Sequence, residues 1–308
     1  MTEIEKEYYK RLALQEENGG TNKPVNRITP LVSVVTTTYQ HAPYIRQCLD
    51  GILMQEADFP YELIIGEDGS TDGTREICIE YANKYPDKIR LFLRDRKLTQ
   101  YVTKDGRTIR FNGHFAIAAA RGKYVAFCEG DDYWVNQNKL QMQVNQLDKD
   151  KECVLCGHNA IVVDQYGTPL YAFSNINRSK YVSSKEIIKK WIIPTCSILY
   201  RQEQFEMPSW ALDVPNSDII IQLMLSFKGK VYYFNNSMGA YRRHPGSMTE
   251  YVKRNMEEYI DTQIILNIRL IMTGHFSIWK YCFMNLLRYC YSKLKVVYHN
   301  RFDKGYYV

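Results

Sequence analysis

The sequence lacks several features by which common protein classes are recognised. It has no glycine-rich phosphate loop of the dinucleotide-binding or Walker type, and no internal repeat is evident. Residues Met1 to Glu17 are charged throughout and lack the apolar centre of a targeting signal, so we expect a short exposed helix there, followed by a linker. Near the C-terminus, Lys280, Arg288 and Lys293 interrupt the run of about 20 apolar residues that a membrane span needs.

Metal-binding and redox cysteine motifs are also poorly represented. The eight cysteines are scattered and lie mostly in apolar runs, as expected of reduced core residues in a cytosolic protein. Cys153 and Cys156 form a C-x-x-C with His158 close by, but a zinc site would need a second ligand pair, and none is clear. An alternating strand from Cys153 to Val163 explains these cysteines better.

What is present is typical of a globular α/β protein. Charged residues make up 24% and hydrophobic residues 45% of the 308 residues, enough for a sizeable core. Short apolar runs alternate with helical patterns, and the predicted strands are Val32–Thr36, Leu63–Gly66, Ile89–Leu93, Tyr124–Phe127 and Thr195–Tyr200. This alternation predicts a doubly wound, mostly parallel sheet flanked by helices, with a helical C-terminal extension.

Two adjacent carboxylates follow one of these strands. Asp131 and Asp132 come directly after the apolar run Tyr124–Phe127, at the end of the strand where open α/β sheets bind ligands. Side by side, the two carboxylates repel, and a divalent cation would relieve that repulsion. Asp132 can ligate such a metal. The alternative is a strand-to-helix turn in which an Asp caps the next helix.

A second acidic turn, Glu67–Thr74, follows the apolar run Tyr61–Gly66. Glycines allow a tight turn, and Asp72 is expected to cap the helix that starts near Thr74. Asp68 precedes the cap, at the tip of the strand, and can accept a hydrogen bond from the imide N–H of a uracil ring. A nucleotide would then be held through its base, its ribose and a metal-bridged diphosphate.

Together with the stretch Leu31–Gln40, these two acidic turns resemble the inverting family-2 glycosyltransferases with the GT-A fold, of the kind found in bacterial surface polysaccharide synthesis. The resemblance covers roughly Pro30 to Thr249. It implies that Thr37, Tyr39 and Asp68 contact the base of a UDP-sugar or related donor. By the same resemblance, Asp131 contacts the ribose or the sugar and Asp132 is a ligand for Mn²⁺ or Mg²⁺. Asp218 matches the general base. The resemblance also implies that the segment Tyr241–Ser247 closes over the diphosphate, with Arg243 binding donor and His244 binding metal or phosphate.

The chain departs from the family pattern at three places. Gly113-His114 stands where many members have an Arg-Asn pair, and Ser217 replaces the first of the two acids in the base motif. The metal motif begins with Glu129 instead of Asp, and its role stays open. Some site residues also have plain structural alternatives: Asp218 can cap a helix, and His244 can be a surface histidine in a Pro-Gly turn.

The resemblance implies a metal-dependent enzyme that transfers a sugar to a glycan or lipid-linked glycan acceptor. Its expected parts are an N-terminal helix and linker, a nucleotide-sugar half, an acceptor half and a basic helical extension, at residues 1–29, 30–135, 136–250 and 251–308. Two alternatives differ in class. A nucleotidyltransferase would have a glycine-rich loop with Arg or Lys after the first strand, which is missing here. The second alternative is a non-catalytic subunit that binds a nucleotide-sugar or serves as a scaffold.

The C-terminus holds most of the net charge. From Gly274 to Val308 there are six Lys or Arg residues and one acid, Asp303. Apolar residues such as Phe283, Leu287 and Leu294 recur at helical spacing. A basic helix with an aromatic apolar face predicts peripheral contact at the inner face of the cytoplasmic membrane, the alternative being packing on the catalytic domain or on a second subunit of a homo-oligomer. No nucleic-acid-binding motif accompanies the charge.

Overall fold

The structure is a computed structural model that describes residues 1–104, 106–214 and 217–302, and the side chains of these residues except 217 and 295–302. Its strands, in chain order, are β1 Val32–Thr38, β2 Tyr61–Glu67, β3 Ile89–Leu93, β4 Gln100–Val102, β5 Thr108–Arg110, β6 Tyr124–Phe127, β7 Tyr133–Trp134, β8 Cys153–Val163, β9 Pro169–Ala172, β10 Lys180–Val182, β11 Leu199–Arg201 and β12 Lys230–Arg242. Its helices are α1 Glu3–Leu12, α2 Ile45–Leu53, α3 Thr74–Lys84, α4 Arg96–Thr99, α5 Asn112–Ala118, α6 Lys139–Lys149, α7 Ser184–Lys189, α8 Ser217–Ser226, α9 Met248–Arg254, α10 Met256–Met272 and α11 Phe276–Phe302.

Parts of two predicted motifs lie outside the described residues. They are Asn216, next to the predicted base, and Asp303 and Lys304 of the basic C-terminus. The side chains of Ser217, Lys295 and Arg301 are likewise outside the described part.

The central sheet is mixed and mostly parallel, as the sequence predicts. Its strand order is β10-β12-β8-β11-β6-β1-β2-β3. β1 pairs in parallel with β2 and β6, and β2 pairs in parallel with β3, so four carboxyl ends meet at one edge. Antiparallel β11 joins this half to β8, which pairs in parallel with β12. β2 is buried at every position and β1 at all but one, because helices cover both faces of the sheet there.

Alternate residues of these strands feed two hydrophobic cores. Val34 and Leu63 contribute to the core under α2, α3 and α6, whereas Val35 and Ile64 contribute to the core under α5, α7, α8 and α10. This follows from the two-residue period of side chains in a strand. The second core also includes Ile278 of α11, so the C-terminal helices are part of the folded body.

The predicted helices and most predicted strands are present, but one strand is misplaced and four strands of the sheet, β7, β9, β10 and the 13-residue β12, were not predicted. β8 runs from Cys153 to Val163 as predicted, with Cys153 and Cys156 buried and free. The predicted strand Thr195–Tyr200 is wrong in its first half. Thr195–Ser197 is a 3-10 turn after Pro194, and the strand begins at Leu199, where pairing with β6 and β8 becomes available.

The N-terminal helix supports the edge of the sheet that carries the site. No residue of α1 is fully buried, in line with the predicted exposed helix. Its Tyr8 ring nevertheless stacks on Phe115, 5.4 Å between centroids. Arg11 donates to the backbone carbonyl oxygens of Leu98 and Gln100, at 3.2 and 2.8 Å. α1 thus holds the segment around α4 in place.

Candidate active site

The carboxyl ends of β1, β2 and β6 bring the predicted residues to one edge of the sheet. The backbone N–H of Asp68 donates to the carbonyl oxygen of Thr38, and that of Gly130 donates to the carbonyl oxygen of Thr37. Both acidic turns are therefore attached to the end of β1. This position at the carboxyl edge of the sheet was predicted from the sequence, because each acidic turn follows a buried apolar run.

Asp131 is the centre of a three-residue cluster. Its Oδ2 lies 3.1 Å from His244 Nε2 and 4.0 Å from His41 Nε2. One ligand atom from each of the three residues lies within 4.8 Å of the others, a spacing that allows a metal ion. Burial alone would raise the pKa of Asp131, but the hydrogen bond from His244 and the two nearby imidazoles lower it. Asp131 is therefore held as a carboxylate.

Asp132 points elsewhere. It is buried, and its Oδ1 accepts a hydrogen bond from the backbone N–H of Arg242 at 2.8 Å. Burial, with the charge of Asp131 next, raises its pKa well above the usual range. The prediction that Asp132 ligates a metal is not tested by these contacts, but the geometry favours Asp131.

Arg242, which the sequence did not single out, holds the acidic turn. Its Nε donates to the backbone carbonyl oxygen of Asp131 at 2.9 Å, and its NH2 donates to Gln47 Oε1 at 2.6 Å. Its neighbour Arg243, predicted to bind donor, donates to the Tyr171 hydroxyl at 3.0 Å and to Glu250 Oε1 at 2.9 Å. The donor role of Arg243 stays a prediction.

Gly130, between Glu129 and Asp131 in the sequence, lies where close packing leaves no room for a side chain. A Cβ at this position would lie 2.6 Å from Thr38 Oγ1 and 2.9 Å from His41 Nδ1. Both distances are shorter than van der Waals contact. The glycine therefore lets the turn approach β1 and the His41 imidazole.

We expect Gly130→Ala to destabilise the fold by about 1–3 kcal/mol, because the methyl group displaces Thr38 and His41. The matched control is Gly113→Ala in α5, where an added Cβ meets nothing within 4 Å. Thermal unfolding followed by circular dichroism measures both variants. An unfolding temperature for Gly130→Ala equal to that of Gly113→Ala would contradict the packing argument.

A second group of side chains surrounds Asp68 and Tyr39. Asp68 Oδ1 accepts from Thr99 Oγ1 at 2.5 Å, and Asp68 Oδ2 lies 3.6 Å from Arg96 NH1. The Arg96 guanidinium sits 3.5 Å from the centroid of the Tyr39 ring, which is 38% exposed. Burial raises the pKa of Asp68, against the hydrogen bond from Thr99 and the charge of Arg96. Tyr39 and Asp68 are thus brought together through Arg96.

Glu129 is close to both Asp131 and Asp218. Thr37 Oγ1 donates a hydrogen bond to Glu129 Oε2. Burial raises the pKa of Glu129 to about 7, and the charges of Asp131 and Asp218 act in the same direction. Residues distant in sequence therefore share one electrostatic environment.

Asp218 occupies the first turn of α8, where a carboxylate is favoured by the helix dipole. Its Oδ2 accepts a hydrogen bond from Thr195 Oγ1 at 2.8 Å. Burial is the largest influence on its pKa and raises it, against that hydrogen bond and the backbone N–H groups of the turn. A carboxylate with a raised pKa is a better proton acceptor than an exposed one.

Sequence reasoning missed His41, Arg96 and Thr99. The stretch Arg94-Asp95-Arg96 after β3 is a signal that could have identified Arg96, since β3 ends at the same edge as β2. His41 follows the Thr37–Tyr39 segment directly, so it could have been considered with it. Trp134, which follows the acidic turn in the sequence, is buried, and its Nε1 donates to the carbonyl oxygen of Cys196 at 2.7 Å.

Comparison with known proteins identifies relatives for most of the chain. Residues 33–206 match the family described as glycosyl transferase family 2. The uncharacterized protein Rv1520 of Mycobacterium tuberculosis is 34% identical over 217 residues, covering 69% of this chain and 59% of that protein. TuaG of Bacillus subtilis, provisionally assigned as a teichuronic acid biosynthesis glycosyltransferase, is 29% identical over 218 residues, covering 69% of this chain and 79% of that protein. The chain thus spans about three fifths of the length of its mycobacterial relative.

Solved structures with the same fold include two nucleotide-sugar complexes. Staphylococcus aureus TarS 1-349 with UDP-GlcNAc has a TM-score of 0.57 and 18% identity, covering 77% of this chain and 65% of that chain. The mannosyltransferase PcManGT of Pyrobaculum calidifontis, with GDP-Man and Mn²⁺, has a TM-score of 0.54 and 19% identity, covering 85% of this chain and 70% of that chain. At such identities the likeness concerns the fold, and it confirms the expected GT-A-type sheet.

Proposed function

Because the chain belongs to glycosyl transferase family 2, we propose that it is a metal-assisted, inverting enzyme that moves a sugar from a UDP-sugar to a hydroxyl group of a glycan or lipid-linked glycan. The observation that carries the proposal is the meeting of Asp131, His41 and His244 with a further carboxylate, Asp218, near one edge of the sheet. The nucleotide-sugar complexes of the fold relatives support the donor class.

The pocket around Tyr39 is suited to the donor base. The Tyr39 ring is 38% exposed although Arg96 covers one of its faces, and Asp68 offers carboxylate oxygens held by Thr99. The imide N–H of uracil can donate to Asp68, whereas N3 of cytosine carries no hydrogen and would face the carboxylate unfavourably. The pocket therefore favours uridine over cytidine nucleotides.

The cation cluster fits a divalent first-row transition ion. Asp131, His41 and His244 would hold it with one carboxylate oxygen and two imidazole nitrogens. Mg²⁺ is bound mainly by oxygen ligands, so of the two ions that the family resemblance implies, Mn²⁺ fits a set with two imidazoles better than Mg²⁺ does. When bound, the cation neutralises charge on the departing diphosphate.

Asp218 is the proposed general base. It accepts the proton of the acceptor hydroxyl while the oxygen attacks the anomeric carbon from the face opposite the diphosphate, which inverts the configuration. The hydrogen bond from Thr195 orients the carboxylate. Burial raises its pKa and so increases its basicity.

A thermal-shift screen of UDP, CDP, GDP and UDP-sugars, with and without Mn²⁺, tests the donor assignment. We expect UDP and UDP-sugars to raise the unfolding temperature, and Mn²⁺ to increase that shift. Release of free UDP from the best UDP-sugar then tests catalysis. Nucleotide binding without any Asp218-dependent UDP release would favour the non-catalytic binding subunit.

We expect Arg96→Ala to weaken UDP binding by about 5- to 30-fold, because the guanidinium lies over Tyr39 and faces Asp68. The control is Arg46→Ala, which removes an exposed arginine paired with Glu80. Titration calorimetry measures both affinities. Equal UDP affinity in the two variants would remove Arg96 from the donor site.

A further inference from the structure

One face of α11 is exposed and apolar over most of its described length. The side chains that form it, here called the α11 stripe, are Phe276, Phe283, Met284, Leu287, Tyr291 and Leu294, each more than half exposed. Their spacing places them on one side of a helix. The opposite side of α11 is buried, through Ile278 and Cys282. The α11 stripe therefore belongs to a helix that is packed on the hydrophobic core.

The charge beside the stripe has one sign. Lys280 and Arg288 are exposed on α11, and helical spacing places Lys280 within the stripe and Arg288 at its flank. Lys293 instead forms an ion pair with Asp261 of α10. The sequence of α11 from Phe276 to Phe302 contains no Asp or Glu. The stripe thus combines aromatic and aliphatic side chains with positive charge that no acid on the same helix balances.

From this combination we propose that the α11 stripe docks on an anionic lipid surface, with α11 lying in the interfacial plane. Such a surface accepts apolar side chains and attracts Lys and Arg at the same time. Among the described residues, no helix combines the length and apolarity that crossing a bilayer requires. A second copy fits less well, because pairing two α11 helices would bring Lys280 and Arg288 near their counterparts without an acid on either helix.

The docking helix is firmly attached to the rest of the molecule. The His275 ring, just before α11, stacks on Phe227, just after α8, with 3.7 Å between centroids. Lys189 of α7 lies 4.7 Å from the centroid of the Tyr281 ring of α11. Since α8 begins next to Asp218, docking through α11 also sets the orientation of the candidate site relative to the lipid surface. The docking inference itself does not depend on the proposed activity.

Flotation with vesicles tests the inference on the full chain. We expect the protein to float with vesicles of equal parts phosphatidylglycerol and phosphatidylcholine, and to bind them more weakly at high salt. We expect no binding to vesicles that contain only phosphatidylcholine. No flotation with the anionic vesicles would overturn the proposal. Equal binding to both kinds of vesicle would overturn its electrostatic part.

Variants distinguish the stripe from the rest of the surface. Phe283→Glu with Leu287→Glu should weaken binding to anionic vesicles by about 10-fold or more, since both side chains are exposed and can change without disturbing the core. Lys280→Glu with Arg288→Glu should weaken it by at least about 10-fold. The control is Leu14→Glu, which changes a leucine that is also more than half exposed, near the other end of the chain. Loss of binding in the control to the same degree would overturn the assignment to α11.

Cys290 provides a direct reporter. Of the eight cysteines, all of them described, seven are buried and Cys290 is exposed on α11. An environment-sensitive fluorophore on Cys290 should shift its emission to shorter wavelength when anionic vesicles are added. If Cys290 of two chains crosslinks with a bismaleimide, light scattering shows a dimer, and vesicles leave the emission unchanged, then a second copy covers the stripe and the proposal is wrong.

Discussion

Replacing Asp218 with Asn is expected to lower the rate of sugar transfer by about 100- to 10,000-fold, the usual contribution of a positioned general base. The amide keeps the size of the side chain and can still accept the hydrogen bond from Thr195. It cannot take up the acceptor proton. UDP affinity should stay near that of the wild type, because Asp218 is proposed to face the acceptor. Release of UDP and titration calorimetry with UDP measure the two quantities.

Asp87→Asn is the matched control for this variant. Asp87 is exposed in the turn before β3, at the amino end of the parallel strands, so the same substitution there should change neither turnover nor affinity. Near-normal turnover of Asp218→Asn would exclude Asp218 as the base. A fall in UDP affinity that parallels the fall in turnover would assign it to donor binding.

The pH dependence of turnover offers a second readout. The base acts only when it is deprotonated, and burial raises the pKa of Asp218. The wild-type rate should therefore fall as the pH decreases through a value above the ordinary range of Asp, which is about 3.9. In Asp218→Asn the part of this decline that is due to Asp218 should be missing.

Loss of the cation cluster is expected to have the other large effect. Asp131→Asn and His244→Ala should each weaken Mn²⁺-dependent UDP binding by at least about 100-fold, because each removes a proposed direct ligand of the cation. UDP binding without metal should change little. Titration calorimetry with UDP, in Mn²⁺ and in chelator, measures both. His275→Ala removes an imidazole stacked on Phe227, outside the cluster, and serves as the control.

Asp132→Asn separates the two possible assignments of the acidic pair. Its amide oxygen can still accept the hydrogen bond from the backbone N–H of Arg242. If Asp132 supports the turn and Asp131 binds the cation, this variant should retain Mn²⁺-dependent UDP binding. Loss of that binding in Asp132→Asn, with Asp131→Asn unaffected, would restore the assignment predicted from the sequence.

The local sequence pattern was sufficient to predict much of the parallel half of the sheet. Apolar runs such as Tyr124–Phe127 predict buried strands because few other short segments can bury every side chain. Carboxylates directly after such runs must lie at the carboxyl edge, so the placement of Asp68 and Asp131 was predictable. The start of β11 was not, because the small residues Thr195–Ser197 suit either a strand or a turn, and only partner strands decide between them.

The pocket around Tyr39 shows what pattern alone could not supply. Arg96 reaches Tyr39 and Asp68 from a separate connection after β3, and Thr99 reaches Asp68 from the same helix, α4. These contacts depend on how far β3 and α4 bring the backbone toward β1. Nothing in the spacing of the residues along the chain measures that distance.

By itself, the sequence determined the strand-helix alternation of the first half of the chain, the acidic ends of β2 and β6, and the apolar, basic character of the C-terminal helix, because each depends on residues that are neighbours in the chain. Tertiary structure decided which of two adjacent carboxylates meets the imidazoles of His41 and His244 and which side of α11 remains exposed. Asp131 acquires its imidazole partner from a residue 113 positions away, and Ile278 is buried because the second core lies against that side of the helix. Such pairings depend on the packing of distant segments, which no local pattern encodes.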